Sequence, residues 1–283
     1  MSVWKGSLWG SQRPGGALWR GGLWRSQRLG IVAPAIDPLQ AFFGLGDSGL
    51  IADPSISKHL FITTAEATPA NDGDPIGRVI DDLSGGPGLS QSISGYRPIY
   101  SSARGMLLYD GFDDFMDTGV ERIGRTGLFA DPTEQFCIAI AFIVAPNFEA
   151  NDSIVSRAQG ALSDRAFLFY LRSTGRARVI CRGLSTGETD LPLLNTGEDL
   201  NIVVINWDGS TLSYRNERGD TRTVPVGTSP EQSGSRIIFG ANHNGTDFHF
   251  TGRQGTGFII DRSMSEVEQV SLINELMLRH GGT

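Results

Sequence analysis

The chain has 283 residues, 39% of them hydrophobic, which is enough for one sizeable core and too much for a disordered protein. No apolar run approaches the ~18 residues of a membrane helix, the N-terminus lacks the apolar centre of a secretory signal, and Cys137 and Cys181 stand apart from any His-Cys cluster; these features argue against a spanning helix, a leader, a disulfide framework and a zinc site. Glycine is in excess at 37 residues, as in turn-rich β chains, and the net charge of -7 divides into +5 over residues 1–30 and -12 over the remainder.

Residues 1–35 read as an extended arm. They hold Trp4, Trp9, Trp19 and Trp24, and Leu8-Trp9-Gly10-Ser11-Gln12-Arg13 recurs as Leu23-Trp24-Arg25-Ser26-Gln27-Arg28, with Leu18-Trp19-Arg20-Gly21-Gly22 between. Glycine breaks these repeats too often for a helix, and they are too short to bury a core of their own. What they offer is tryptophan rings and arginine forks, the side chains most enriched at interface hot spots. Trp4, Trp9, Arg13, Trp19, Arg20, Trp24, Arg25 and Arg28 are therefore the candidate partner-binding residues. Five positive charges on a chain otherwise at -12 make too weak a footprint for nucleic acid.

Pro34, Pro38 and Pro54 punctuate an extended connection over 31–55 that leads into one domain over 36–283. Asp53-Pro54 predicts a short helix running to Phe61. Met106 to Tyr109 predicts a strand, Asp110-Gly111 a tight turn, and Phe112 and Phe115 two inward rings between the carboxylates Asp110, Asp113, Asp114 and Asp117. Gln135–Ala145 is the longest apolar run, apolar on both faces of a strand, which predicts a central position. Further strands are predicted over 153–157, 166–172, 176–182, 200–207, 211–217, 222–226, 236–240, 247–250 and 255–261, with hairpin turns at Asp208-Gly209 and Arg218-Gly219-Asp220. One helix closes the chain. Ser263 or Ser265 caps it, Val267, Val270, Leu272, Ile273, Leu276 and Met277 form its apolar stripe, and Gly281 stops it.

Several of these stretches resemble the LamG-like, concanavalin A-like domains of bacteriophage and prophage structural proteins. The segment Gly73-Asp74-Pro75-Ile76-Gly77 to Asp81-Asp82-Leu83-Ser84-Gly85, the run Asp110-Gly111-Phe112-Asp113-Asp114, the hairpin Trp207-Asp208-Gly209-Ser210 and the Phe250-Thr251-Gly252 strand carry the likeness over roughly residues 48–280. Gly86-Pro87-Gly88 stands where that family has asparagine, and Arg253-Gln254 replaces its usual continuation. The resemblance implies an all-β, concanavalin A-like jelly-roll sandwich with a short C-terminal helix and the N-terminal arm. It also implies a calcium site, for which Asp110, Asp113 and Asp114 are the candidates beside the alternative of solvated turn-capping aspartates.

For catalysis, the best carboxylate pair is Glu188 and Asp190. The E-x-D-x-x-E strand pattern of the fold's hydrolases fails at Leu193, so a non-enzyme is expected. The loop Asn242-His243-Asn244-Gly245-Thr246-Asp247 gathers amide, imidazole and carboxylate groups at a rim, and Asn242, His243, Asn244 and Asp247 are the candidate glycan contacts, with Asn195, Asn206 and Tyr214 as weaker additions. Taken together, the reading is a virion structural protein, a spike, fibre or decoration subunit. Its arm would bind other virion proteins, and its sandwich would bind host surface polysaccharide; a homo-oligomer, no nucleic acid and no membrane insertion are expected. A free carbohydrate-binding module or glycanase is the alternative.

Overall fold

The computed structural model describes residues 37–83, 86, 88–119, 135–158, 165–181, 188–225, 236–242, 245 and 247–281. The chain divides into two units, Met1–Ala35 and Ile36–Thr283, and the description concerns the second. Trp4, Trp9, Arg13, Trp19, Arg20, Trp24, Arg25 and Arg28 lie outside the described residues, as do His243 and Asn244.

Seventeen strands are found among the described residues: β1 Gly49–Ala52, β2 Leu60–Phe61, β3 Arg78–Val79, β4 Leu89–Ser90, β5 Ile99–Ser101, β6 Met106–Asp110, β7 Met116–Asp117, β8 Phe136–Val144, β9 Ser153–Ala158, β10 Arg165–Leu171, β11 Arg176–Cys181, β12 Glu188–Leu193, β13 Asn201–Trp207, β14 Thr211–Asn216, β15 Thr221–Pro225, β16 Ile237–Phe239 and β17 Thr251–Ile260. The helix α1 covers Glu266–His280. One antiparallel sheet runs β15-β14-β13-β8-β17-β6-β5, with β1 also on β17; the other runs β12-β11-β10-β9-β16-β7-β4-β3-β2. The fold is the all-β sandwich expected of the sequence, closed by a C-terminal helix.

The two-faced apolar run explains the layering. In β8, Phe136, Ile138, Ile140, Phe142 and Val144 face the other sheet, where they join Phe167, Phe169, Val155 and Phe239. The alternate residues Cys137, Ala139, Ala141 and Ile143 face outward and are covered by Leu272, Ile273 and Leu276 of α1. Small side chains on that face leave room for a helix. A polar clamp fixes α1 there: Asn206 accepts from the Met264 N–H at 2.7 Å and donates to Ser263 Oγ at 2.9 Å, and Ser265 with Glu268 forms the expected capping box. Cys137 is a buried free thiol, pushed to a much higher pKa by burial.

Four sequence expectations need correction. The helix predicted over Asp53–Phe61 is a single 3-10 turn, Ser57–His59, followed by β2. Asp53 is fully buried instead, where it accepts from Thr256 Oγ1 at 2.9 Å and pairs with Arg279, so tertiary polar contacts override its helix-starting role. Within the predicted connection, Gly49–Ala52 is the buried strand β1, paired to β17. The strand predicted over 247–250 is loop apart from a bridge between Asp247 and Asn242, and the one predicted over 255–261 starts earlier, as β17 with an irregularity between Gln254 and Gly257. Its glycines obscured the pattern; a Cβ at Gly252 would lie 2.2 Å from the Ile143 carbonyl oxygen. Finally, Val267, Val270 and Met277 do not pack with the rest of the α1 stripe but face solvent.

Candidate functional site

At one end of the sandwich the β6–β7 connection carries the predicted carboxylates. Gly111 takes the left-handed conformation (φ +84°) directly after Asp110, and a Cβ there would lie 2.2 Å from Thr251 Oγ1, so both the turn and the contact require glycine. Asp110 Oδ1 accepts the Phe112 N–H at 2.8 Å, and Asp114 Oδ2 accepts the Asp110 N–H at 3.0 Å. These bonds draw oxygens of Asp110, Asp113 and Asp114 to within 4.8 Å of one another. Burial of Asp114, only partly offset by the Asp110 N–H and reinforced by Asp110 and Asp113, pushes its pKa up to about 7. Three carboxylates with oxygens to spare fit a hard cation such as Ca²⁺, which Asp110, Asp113 and Asp114 would hold and which would supply a Lewis-acidic contact for hydroxyl oxygens.

The neighbouring Phe112 corrects the sequence reading. Its ring does not turn inward but stands 81% exposed between the carboxylates, while Phe115 alone is buried. Inside the turn, the residues at 112 and 115 have opposite tasks.

The β16–β17 connection meets the same place. Asn242 donates its N–H to the Asp247 carbonyl at 2.8 Å, and Gly245 returns an N–H to the Asn242 carbonyl at 3.0 Å. Gly245 is left-handed (φ +78°) and lies flat on Phe115, where a Cβ would approach the ring to 2.4 Å. His249 Nδ1 is 3.5 Å from the Asp114 carbonyl oxygen. Two stretches read from the sequence as separate sites are thus one rim.

Within it, Asp247 is exposed, whereas Asn242 is buried with Oδ1 unpartnered. The rim also contains groups that the sequence reading missed. Asp152 Oδ2 accepts from the Thr251 N–H at 3.1 Å and is raised in pKa by burial, Phe248 is a partly exposed ring in a left-handed backbone (φ +54°), and Tyr96 stands 6.3 Å from Phe115. Only the positive backbone angle and the loop contact distinguish Phe248, and neither has a sequence signature.

The weaker candidates lie elsewhere. Asn206 and Tyr214 are buried, Asn206 holding α1, and Asn195 exchanges hydrogen bonds with Asn201. The pair Glu188 and Asp190 sits on β12, with Asp190 in register with Arg178 of β11; their side chains lie outside the described residues.

No family model matches the chain, and no curated protein matches it by sequence. Solved structures share the fold. A Trypanosoma rangeli sialidase superposes over 85% of this chain at 12% identity and TM-score 0.56, a complex of that sialidase with sialic acid over 85% at 11% and 0.53, and a GH54 α-L-arabinofuranosidase over 73% at 14% and 0.51. The chain spans only 34%, 34% and 51% of those proteins' own lengths. At such identities the likeness is one of fold, and the proteins named are not phage domains. It does overturn the expectation of a non-enzyme. That expectation rested on one failed strand motif, yet this architecture is shared with proteins named as glycoside hydrolases, so the missing motif is no ground for excluding hydrolysis.

Proposed function

We propose that the rim built from the β6–β7 and β16–β17 connections binds a glycan. The observation that carries this reading is the exposed Phe112 ring in the same turn that brings three carboxylates together at one end of the sandwich. A pyranose offers an apolar face of C–H groups and a periphery of hydroxyls, so it matches an aromatic plate beside acceptor oxygens. The names of the structural neighbours, a sialidase and an arabinofuranosidase, support a carbohydrate ligand. In this reading the chain is a structural subunit of a phage or phage-like virion. Residues 1–30 bind other virion proteins, and the sandwich turns its rim toward host surface polysaccharide.

Binding of the full chain to an array of bacterial surface polysaccharides tests the rim, with Phe112→Ala as the paired variant. The reading expects retained ligands to be lost or weakened about tenfold in the variant. Unchanged binding by Phe112→Ala would place the site elsewhere.

A second reading, hydrolysis of the bound glycan, is favoured by Asp114. With no cation bound, burial raises Asp114 to about 7 beside Asp110 and Asp113, which is the arrangement of a general acid at neutral pH, so this reading and a calcium site exclude one another at Asp114. Release of reducing ends by the full chain, abolished in Asp114→Asn, would establish it; binding without turnover would leave the rim as a binding site alone.

A further inference from the structure

The helix α1 is apolar on two faces. Leu272, Ile273 and Leu276 face the sheet, and Gln269 and His280 are buried with them. On the opposite side, Val267, Val270, Met277 and Leu278 stand 76%, 40%, 40% and 82% exposed, and the intervening exposed residues Ser271 and Asn274 are uncharged.

The outer stripe has the spacing of a coiled-coil seam. Val267, Val270, Asn274 and Met277 fall at successive a, d, a and d positions, with Leu278 flanking at e. One asparagine at an a position is a register device that pairs with itself across a parallel dimer. We propose that this face is the interface of a parallel two-fold dimer, in which α1 of one copy packs along α1 of a second copy and the two Asn274 side chains meet.

Three further observations favour a second copy over a lipid surface. The helix carries Glu266, Glu268 and Glu275, while its one arginine, Arg279, is already paired with Asp37, Asp53 and Glu275, so it lacks the basic flanks that draw helices to anionic membranes. In a parallel pair no glutamate occupies the seam, and Glu266 is held aside by Arg215. Two heptads would be too short to fold and pair alone, but here each helix is already built on its own sheet, so pairing costs no helix formation.

Sedimentation of the full chain tests the proposal. The expected mass is twice 30.5 kDa at micromolar concentrations, with Val267→Glu/Leu278→Glu raising the dissociation constant at least tenfold while near-ultraviolet dichroism stays unchanged. Met277→Cys, placed on the seam near one end, is expected to form an intermolecular disulfide under mild oxidation, as a parallel pair brings the two residues 277 together and an antiparallel pair separates them. A monomer at 100 µM, a mass unaffected by the double glutamate variant, or no cross-link at residue 277 would each overturn the proposal. Monomeric chains that bind vesicles containing anionic lipid through this face would overturn it as well.

Discussion

Gly245 lies against the ring of Phe115, so close that a Cβ at residue 245 would stand 2.4 Å from it. That contact seals the β16–β17 connection onto the β6–β7 connection and holds the exposed Phe112 and the three carboxylates in one place. Gly245→Ala therefore meets both a left-handed backbone and a ring. A loss of about 2–4 kcal/mol in urea unfolding is expected. Gly46→Ala is the control, since Gly46 is left-handed too (φ +99°) but has open space where the Cβ would go. It should cost only about 1 kcal/mol. Equal losses would show that the rim contact contributes nothing.

Calcium should stabilise the chain through Asp110, Asp113 and Asp114. Ligand at 100 times its dissociation constant contributes about 2.7 kcal/mol, or roughly 5–10 °C in Tm for a domain of this size. Calorimetry with calcium and with chelator measures the shift, and Asp113→Ala should remove it. Identical transitions in both conditions would count against a cation site.

The pH dependence has a definite sign. Burial raises Asp81 to about 6 and Asp114 to about 7 from 3.8. Each binds its proton more tightly in the folded chain than in the unfolded one. Their contribution to stability is full below about pH 4 and is lost as the pH rises through 6 to 7. His280, lowered chiefly by burial, acts in the opposite sense, losing stability as the pH falls through 6.5. Between pH 7 and 8 an unfolded histidine is mostly neutral, so the carboxylates set the slope. Without added calcium Tm is expected to fall over that interval, and Asp114→Asn should flatten the fall. A Tm that rises from pH 7 to 8 would contradict the burial of these groups.

Asn206 joins the first sheet to α1 through Met264 and Ser263. Asn206→Ala leaves the buried Met264 N–H without that partner, and about 1–3 kcal/mol of stability should go with it. Hydrogen exchange would show the loss first in α1 rather than in β8. Uniform loosening of both sheets would mean that the clamp is not local.

Much of this fold was legible in the sequence because period and turn chemistry agree there. The run at 136–144 alternates two apolar faces, as a central strand covered on both sides requires. The capping box at Ser265 and Glu268, and the turn at Asp208-Gly209, follow from local hydrogen bonding alone. What escaped depends on distant residues. The strand Gly49–Ala52 is short, and its pairing partner lies about 210 residues on, at Gly257 to Ile260. Phe112 and Phe115 are three residues apart in one turn, and the distant Gly245, Ile238 and Tyr96 gather on Phe115 and not on Phe112. The carboxylates were visible as a cluster in sequence, but their meeting with the Asn242–Asp247 loop requires the register of β16 and β17.

The most direct test of the rim is hydrogen–deuterium exchange of the full chain with and without the tightest-binding oligosaccharide from the array. Protection confined to residues 110–115 and 241–250 is the expected result. Protection on β10 to β12, around Arg178 and Asp190, with none at the rim, would contradict the account and move the site to the other sheet.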